Sequence, residues 1–281
     1  MNKIIEKVKL SDDVFQMKID APLIAEERKA GQFIVLLIDL EHGERIPLTI
    51  AGADKKNGTI TIIFQAVGDT TRLLAKKEEG DYIESLLGPL GTPTHIQKYD
   101  KPVVCVGGGI GVAPLRPIVQ AFKEAGNEVI SIIGARTKEL LILEDEINRY
   151  SNKVIVCTDD GSYGRKDLVT APLKEICESD NPPGEVIAIG PPIMMKFCAL
   201  TTKPFNVHTT VSLNTIMVDG TGMCGGCRVT VGDDVKFVCV DGPEFDGHKV
   251  DFENMMNRLN TYKFQEDHEC NIGLDGKGAK K

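Results

Sequence analysis

The chain has 281 residues, 42% of them hydrophobic, and a formal net charge of −8. That length exceeds one small core and suits two domains with an appendage, and the acidic balance argues against nucleic acid as a partner. The longest apolar run, residues 33–38, is strand-sized, and the charged start Met1-Asn2-Lys3-Ile4-Ile5-Glu6-Lys7 lacks a signal peptide's apolar segment. No membrane span is expected, and eight cysteines without such a signal point to a reducing, cytoplasmic setting rather than a disulfide scaffold.

In chain order, residues 1–100 read as β. Branched, apolar runs at 4–10, 14–19, 33–38, 47–51, 59–66 and 82–87 are separated by turn signals such as Asn57-Gly58 and Gly80-Asp81. The pattern predicts an antiparallel β-barrel. One helix is expected within it, from Asp69 or Thr70 as N-cap to position 77.

From 101 to 208 the pattern changes to alternating strand and helix. A strand at 102–106 enters Gly107-Gly108-Gly109-Ile110-Gly111-Val112-Ala113-Pro114, and a helix follows to 125, closed by Gly126. Strands at 129–133, 154–158 and 186–189 alternate with helices at 139–149, 166–178 and 193–200. This predicts an α/β doubly wound parallel sheet with helices on both faces. Its ligands should lie on the loops at the carboxyl ends of the strands: Gly134-Ala135-Arg136, Thr158-Asp159-Asp160-Gly161 and Gly190-Pro191-Pro192. The glycines of 107–111 let the backbone approach a pyrophosphate, and Pro114 suits a first helical turn. A purely structural tight turn is the alternative. No acid stands at the end of the second strand, where one would hold a ribose 2′-hydroxyl. Arg136 there suits a 2′-phosphate or simply solvent.

Residues 209–262 form a third segment, with apolar runs at 210–218, 228–231 and 235–240, followed by a Gly- and Lys-rich tail at 263–281. Within it lies Asp219-Gly220-Thr221-Gly222-Met223-Cys224-Gly225-Gly226-Cys227, with Cys239 after eleven more residues. Three thiolates are one short of a four-ligand site. The four-residue gap of the plant-type C-x4-C-x2-C spacing places the missing ligand on Asp219. Asp219, Cys224, Cys227 and Cys239 are therefore expected to hold a [2Fe-2S] cluster. The surrounding glycines allow amide N–H groups to face its sulfurs. The alternatives are a structural zinc, with Asp219 or His248 as fourth ligand, and a redox dithiol, which the absence of a following apolar helix disfavours. A segment this small should need the metal as a staple. Cys105, Cys157, Cys177 and Cys198 read as buried small hydrophobes. In the barrel, Arg45-Ile46-Pro47-Leu48-Thr49 and Gly68-Asp69-Thr70-Thr71 are candidate phosphate and flavin contacts, each also explicable as an ordinary strand or cap.

Barrel, dinucleotide sheet and iron–sulfur lobe in this order resemble the ferredoxin-NADP reductase superfamily, in the branch that contains the electron-transfer subunit of dihydroorotate dehydrogenase B. Within it the chain is most similar to the small subunits of electron-bifurcating NADH-dependent reduced ferredoxin:NADP oxidoreductases, where aspartate takes the first ligand position. The resemblance covers residues 1 to about 262. It implies FAD in the barrel, NAD(H) on the sheet, and a cluster facing a larger flavin and iron–sulfur partner in a heterodimer. Arg45, Pro47, Leu48 and Thr49 match the first FAD segment, Phe64, Gln65 and Ala66 the strand lining the flavin, and Gly68, Thr70 and Thr71 the pyrophosphate loop. The superfamily's Arg-x-Tyr-Ser arginine falls on Ile46, one residue after Arg45. Gly107, Gly108, Gly109, Gly111, Pro114, Arg136, Asp159, Asp160, Gly190 and Pro191 match the NAD loops. The expected function is electron transfer between NAD(H), FAD and the cluster, with no protein acid or base required. The rival readings are a dihydroorotate dehydrogenase subunit, a stand-alone reductase, and a zinc-stapled nucleotide-binding regulatory protein.

Overall fold

The computed structural model describes residues 1–41 and 44–261. The expected tail, with Cys270, lies outside the described residues. The N-terminal part comprises β1 (Asn2–Lys9), β2 (Val14–Asp20), α1 (Pro22–Glu27), β3 (Phe33–Leu37), β4 (Arg45–Asp54), β5 (Thr59–Gln65), α2 (Asp69–Lys76), β6 (Tyr82–Ile83) and β7 (Ser85–Leu90). The strands pair antiparallel in the order β6-β1-β2-β5-β4-β3-β7. The two edge strands, β6 and β7, are separated only by Glu84, so the sheet must curl back on itself into a barrel. Alternate residues, such as Ile60, Ile62 and Phe64 of β5 and Ile34 and Leu36 of β3, fill its interior. The run expected at 82–87 is split into two strands, and α1 was not legible from its short, charged sequence. Gly68, not Asp69 or Thr70, caps α2, and Asp69 stands at its first position, where its charge complements the helix dipole.

The remainder comprises β8 (Val103–Gly108), α3 (Val112–Glu124), β9 (Val129–Ala135), α4 (Glu144–Tyr150), β10 (Lys153–Thr158), α5 (Thr170–Cys177), β11 (Glu185–Ile189), α6 (Pro192–Thr202), β12 (Thr209–Ser212), β13 (Arg228–Val231), β14 (Asp234–Phe237), α7 (Val238–Asp241), β15 (Glu244–Asp246) and α8 (Phe252–Leu259). The main sheet runs β10-β9-β8-β11-β12-β15, parallel except for β15. Val103 and Cys105 pack with α3 and α4, and Val104 and Val106 with α5 and α6. A sheet covered on both faces explains the unbroken apolar runs of β8 and β11.

Two helices are shorter than the periodicity suggests. The one expected at 139–149 begins at Glu144, because Leu143 adopts a left-handed φ of 59° and breaks the turn. The one expected at 166–178 begins at Thr170. Arg165 is held to β10 instead, its N–H donating to Val156 O (2.9 Å) and its carbonyl accepting from Thr158 N (2.8 Å).

The third segment, expected to be too small for a core of its own, shares one with the sheet. β12 and β15 extend the parallel sheet, so a boundary at 208/209 runs between adjacent strands of one sheet. Cys227, Val229, Val238, Cys239, Phe252 and Met255 join the same apolar cluster as Val104, Val186 and Met195, and as Phe33 and Val35 of the barrel. Helix α8, also unforeseen, is capped by the Asp251 carboxylate accepting from Asn254 N at 3.0 Å. Among the described residues, no helix is long and apolar enough to cross a membrane.

Candidate functional site

The cysteine loop is shaped by its own side chains. Asp219 Oδ1 accepts from Thr221 N (2.8 Å) and Oδ2 from Cys224 N (2.7 Å). The Thr221 amide foremost, with the Cys224 contacts, holds this carboxyl below its ordinary range. Gly226 N points to Cys224 Sγ at 3.4 Å, and Cys239 N to Cys227 Sγ at 3.5 Å. Cys227 and Cys239 are buried with their sulfurs 3.2 Å apart, whereas Cys224 is exposed.

The structure thus joins two of the four expected ligands directly and ties the other two through a backbone amide. Among the described residues, no three His, Cys, Asp or Glu side chains converge in a preformed metal site. The donor chemistry nevertheless suits an iron–sulfur cluster: three thiols and a carboxylate on one lobe, with amide N–H groups directed at sulfur. Burial first, then the Cys227 thiol, pushes Cys239 up to about 12, so taking up iron must expel its proton. His248, the alternative zinc ligand, is engaged elsewhere, with Nε2 2.9 Å from Thr202 Oγ1.

The glycine loop leaves β8 and opens α3. A Cβ on Gly111 would stand 2.4 Å from the Ile189 carbonyl oxygen, so only glycine lets the loop lie against β11. At Gly109, by contrast, nothing lies within 4 Å of a Cβ position and φ is +54°, leaving backbone open to an incoming phosphate. Pro114 is the third residue of α3. Arg136, Asp159, Asp160 and Pro191 are exposed and Gly190 is half-buried, all at the carboxyl ends of β9, β10 and β11. Asp160 serves locally as a turn cap, accepting from Ser162 Oγ (2.7 Å) and N (2.9 Å). Gly111→Ala is expected to weaken dinucleotide binding at least tenfold and to cost about 1–3 kcal/mol of stability through overpacking. An NADH titration followed by fluorescence, beside a thermal melt, checks both.

On the barrel, Arg45 is exposed at the start of β4, and Pro47, Leu48 and Thr49 are half-buried along it. Phe64 points into the barrel interior, its ring 5.9 Å from that of Phe15. Gln65 donates to Asp13 Oδ2 at 2.7 Å, and the amide of Ala66 to Asp13 O at 2.7 Å. Thr70 is buried, while the Thr71 hydroxyl accepts from Val67 N (3.1 Å) and Gly68 N (3.0 Å) and so tightens the start of α2. The accessible parts of this face are therefore the first half of β4 and the Gly68 turn.

These stretches, far apart in the chain, meet. A Cβ on Gly220 would stand 2.6 Å from Val35 Cγ2 and 3.0 Å from Leu90 Cδ1, so the cysteine loop rests on β3 and β7. Val35 pairs with Pro47 of β4, which sets the cysteine loop one strand from the expected flavin segment. From the other side, Arg116 of α3 donates from Nη1 to Ala51 O of β4 at 3.1 Å.

Sequence reasoning missed Arg116, and it missed Glu244, whose Oε1 accepts from Thr94 Oγ1 at 2.6 Å. Neither sits in a motif. The one available signal was the charge itself, in the apolar first half of a helix and at the start of a short strand.

Two family models match: the iron-sulfur cluster binding domain of dihydroorotate dehydrogenase B over residues 214–251, and the oxidoreductase NAD-binding domain over 105–199. The dihydroorotate dehydrogenase B (NAD+) electron transfer subunit homolog of Thermotoga maritima is 47% identical over 95% of this chain and 93% of its own length. A solved chain of the NADH-dependent reduced ferredoxin-NADP oxidoreductase, described for its insights into flavin-based electron bifurcation, is 46% identical. It has a TM-score of 0.89 and covers 95% of this chain and 96% of that chain. A ferredoxin NADP+ reductase from Neisseria gonorrhoeae with bound FAD and NADP is 19% identical, with a TM-score of 0.60 over 73% of this chain and 90% of that one. At that distance the likeness shows the shared fold alone.

Proposed function

This chain belongs to the family of electron-transfer subunits of the dihydroorotate dehydrogenase B type, and on that premise we propose that it is the NAD(H)-dependent flavin and iron–sulfur subunit of an electron-bifurcating ferredoxin:NADP oxidoreductase. The observation that carries this reading is the meeting of three elements: the cysteine loop on Val35, the flavin strand paired to Val35, and the nucleotide helix tied to Ala51. Arg45, Pro47, Leu48, Thr49 and the Gly68–Thr71 turn would hold FAD, with Phe64, Gln65 and Ala66 shaping the strand behind it. The loop from Gly107 to Pro114, with Arg136, Asp159, Asp160, Gly190 and Pro191, would hold NAD(H). Asp219, Cys224, Cys227 and Cys239 would hold the [2Fe-2S] cluster. FAD, when bound, supplies the conversion between a hydride, with its two electrons and one proton, and single electrons at iron. The protein's part is to orient and to exclude water.

A partner is supported by the apolar surface around the cysteine loop. Met223 is 88% exposed, Val218 56% and Val240 43%, a patch suited to burial against a larger subunit that draws electrons through the cluster. A heterodimer in the cytoplasm fits this surface, and among the described residues every cysteine is a free thiol. The carboxylate at Asp219 favours the bifurcating enzyme over a dihydroorotate dehydrogenase subunit, whose cluster carries four thiolates.

The test is the visible spectrum of anaerobically purified protein before and after NADH. Flavin bands and a broad two-iron shoulder, both bleached by NADH, are the expected result. A colourless, zinc-containing protein indifferent to NADH would overturn the reading.

A further inference from the structure

Strand β4 carries a bulge immediately after its flavin segment: Ile50 pairs with Ile62 and Gly52 with Thr61, leaving Ala51 as the extra residue. Two guanidinium groups close on this bulge. Arg28, just past α1, donates from Nη2 to Ile50 O at 3.4 Å, and Arg116 donates from Nη1 to Ala51 O at 3.1 Å. Arg116 lies in the second turn of α3, the helix opened by the nucleotide loop, and its Nε is 2.6 Å from Glu146 Oε2 of α4. The two cations are close enough that burial, and then Arg116, lower Arg28 below its ordinary value. Arg28 Nε and Arg116 Nε are both buried without a hydrogen-bond partner, so Arg116 meets Glu146 as an ion pair alone. A Cβ on Gly52 would come within 3.1 Å of Arg116 Nη1, so glycine leaves room for the side chain to reach the strand.

This is a costly arrangement for a mere surface contact. Two like charges are brought together beside a backbone irregularity, and each carries a buried Nε with no hydrogen-bond partner. Its geometric effect is specific. Arg116 is a strut rooted on α3, its guanidinium placed between Glu146 of α4 and the strand expected to carry the flavin. Hydride transfer needs donor and acceptor atoms at near-contact distance, where a displacement of about 1 Å can cost about 100-fold in rate.

We propose that Arg116, held by Glu146 and seated on the Ala51 bulge, is a positioning residue that sets the spacing between the nucleotide loop and the flavin strand, with Arg28 stiffening the same bulge. The proposal rests on the flavin and NAD(H) reading above. It gives Arg116 no contact with either cofactor. The strut acts through the backbone of β4 and the axis of α3, so its loss should change the rate of reduction more than the affinity for nucleotide.

The experiment compares wild type, Arg116→Met, Arg116→Lys and Glu146→Gln as FAD-loaded holoprotein, mixed anaerobically with NADH in a stopped-flow spectrometer. Expected for Arg116→Met is a limiting rate of flavin bleaching lower by about 10- to 100-fold. Its half-saturating NADH concentration should stay within about twofold, with a weaker long-wavelength charge-transfer band. Arg116→Lys, which keeps one donor, should recover part of both rate and band. Glu146→Gln should shift them in the same direction by less, and it carries the test if Arg116→Met does not fold. Wild-type bleaching rates and an unchanged band in the variants, even with a lowered melting temperature, would leave Arg116 a merely structural tie and overturn the proposal. Wild-type flavin that NADH does not reduce would instead overturn the functional reading on which the strut depends, a result visible before any variant is made.

Discussion

Cys227→Ser is expected to remove the cluster while leaving the NADH-to-flavin half of the protein intact. Cys227 is buried, and its sulfur touches that of Cys239 at 3.2 Å. Serine there presents a harder, shorter donor that remains protonated at neutral pH. Disturbing groups that only orient metal ligands already costs about 10- to 100-fold in metal affinity, so losing a ligand should cost at least as much. Iron content and the two-iron absorbance should therefore fall to near background. Flavin bleaching by NADH should persist within about twofold, because the loops assigned to FAD and NAD(H) belong to β4, α2 and the parallel sheet. The lobe should stay folded, since Val229, Val238, Phe252 and Met255 share the core of the sheet. Cys198→Ser is the control: that thiol is on the buried face of α6, and iron content should not change. Equal iron in Cys227→Ser and wild type would remove Cys227 from the ligand set.

Glu244→Gln is expected to stabilise the protein relative to wild type, by an amount that grows as pH rises from about 4.5 and is complete above about 7. Burial foremost, with Glu185 adding to it and the Thr94 hydroxyl opposing, raises the Glu244 carboxyl from 4.5 to about 7. An acid raised in the folded state binds its proton more tightly there than in the unfolded chain. Its favourable contribution is fully present below about 4.5 and is lost as pH rises through about 7, above which the buried carboxylate opposes folding. A shift of this size corresponds to about 3 kcal/mol, the ceiling for the gain on substitution. Glutamine keeps a carbonyl oxygen to accept from Thr94 Oγ1 and cannot ionise. At pH 8 the variant should melt higher than wild type, and at pH 4.5 the two should converge. His208, raised chiefly by its hydrogen bond to Glu185, titrates in both proteins and drops out of the difference. A melting difference that does not change between pH 4.5 and 8 would show that Glu244 does not titrate in this range.

The parts of this protein visible in its sequence are those with a short-range cause. Strand alternation in the barrel, the apolar runs of β8 and β11 and the glycine turn before α3 all arise from residues within about ten positions of one another. The Asp219 to Cys239 spacing spans only a single loop and hairpin. Even there, local pattern failed where distant contacts intervened. The helix expected from 166 starts late because Arg165 pairs with β10, and the small cysteine lobe shares the core of the sheet.

By itself the sequence determined the order of barrel, nucleotide sheet and cysteine loop, and the chemical type of donor in each. Only the tertiary structure decided that Gly220 rests on Val35, that Arg116 reaches the Ala51 bulge and that Glu244 is sealed under Thr94. Each of these contacts joins residues more than sixty positions apart. No local propensity encodes such a meeting, because its free energy comes from apolar surface and hydrogen bonds that exist only once the separate elements have packed.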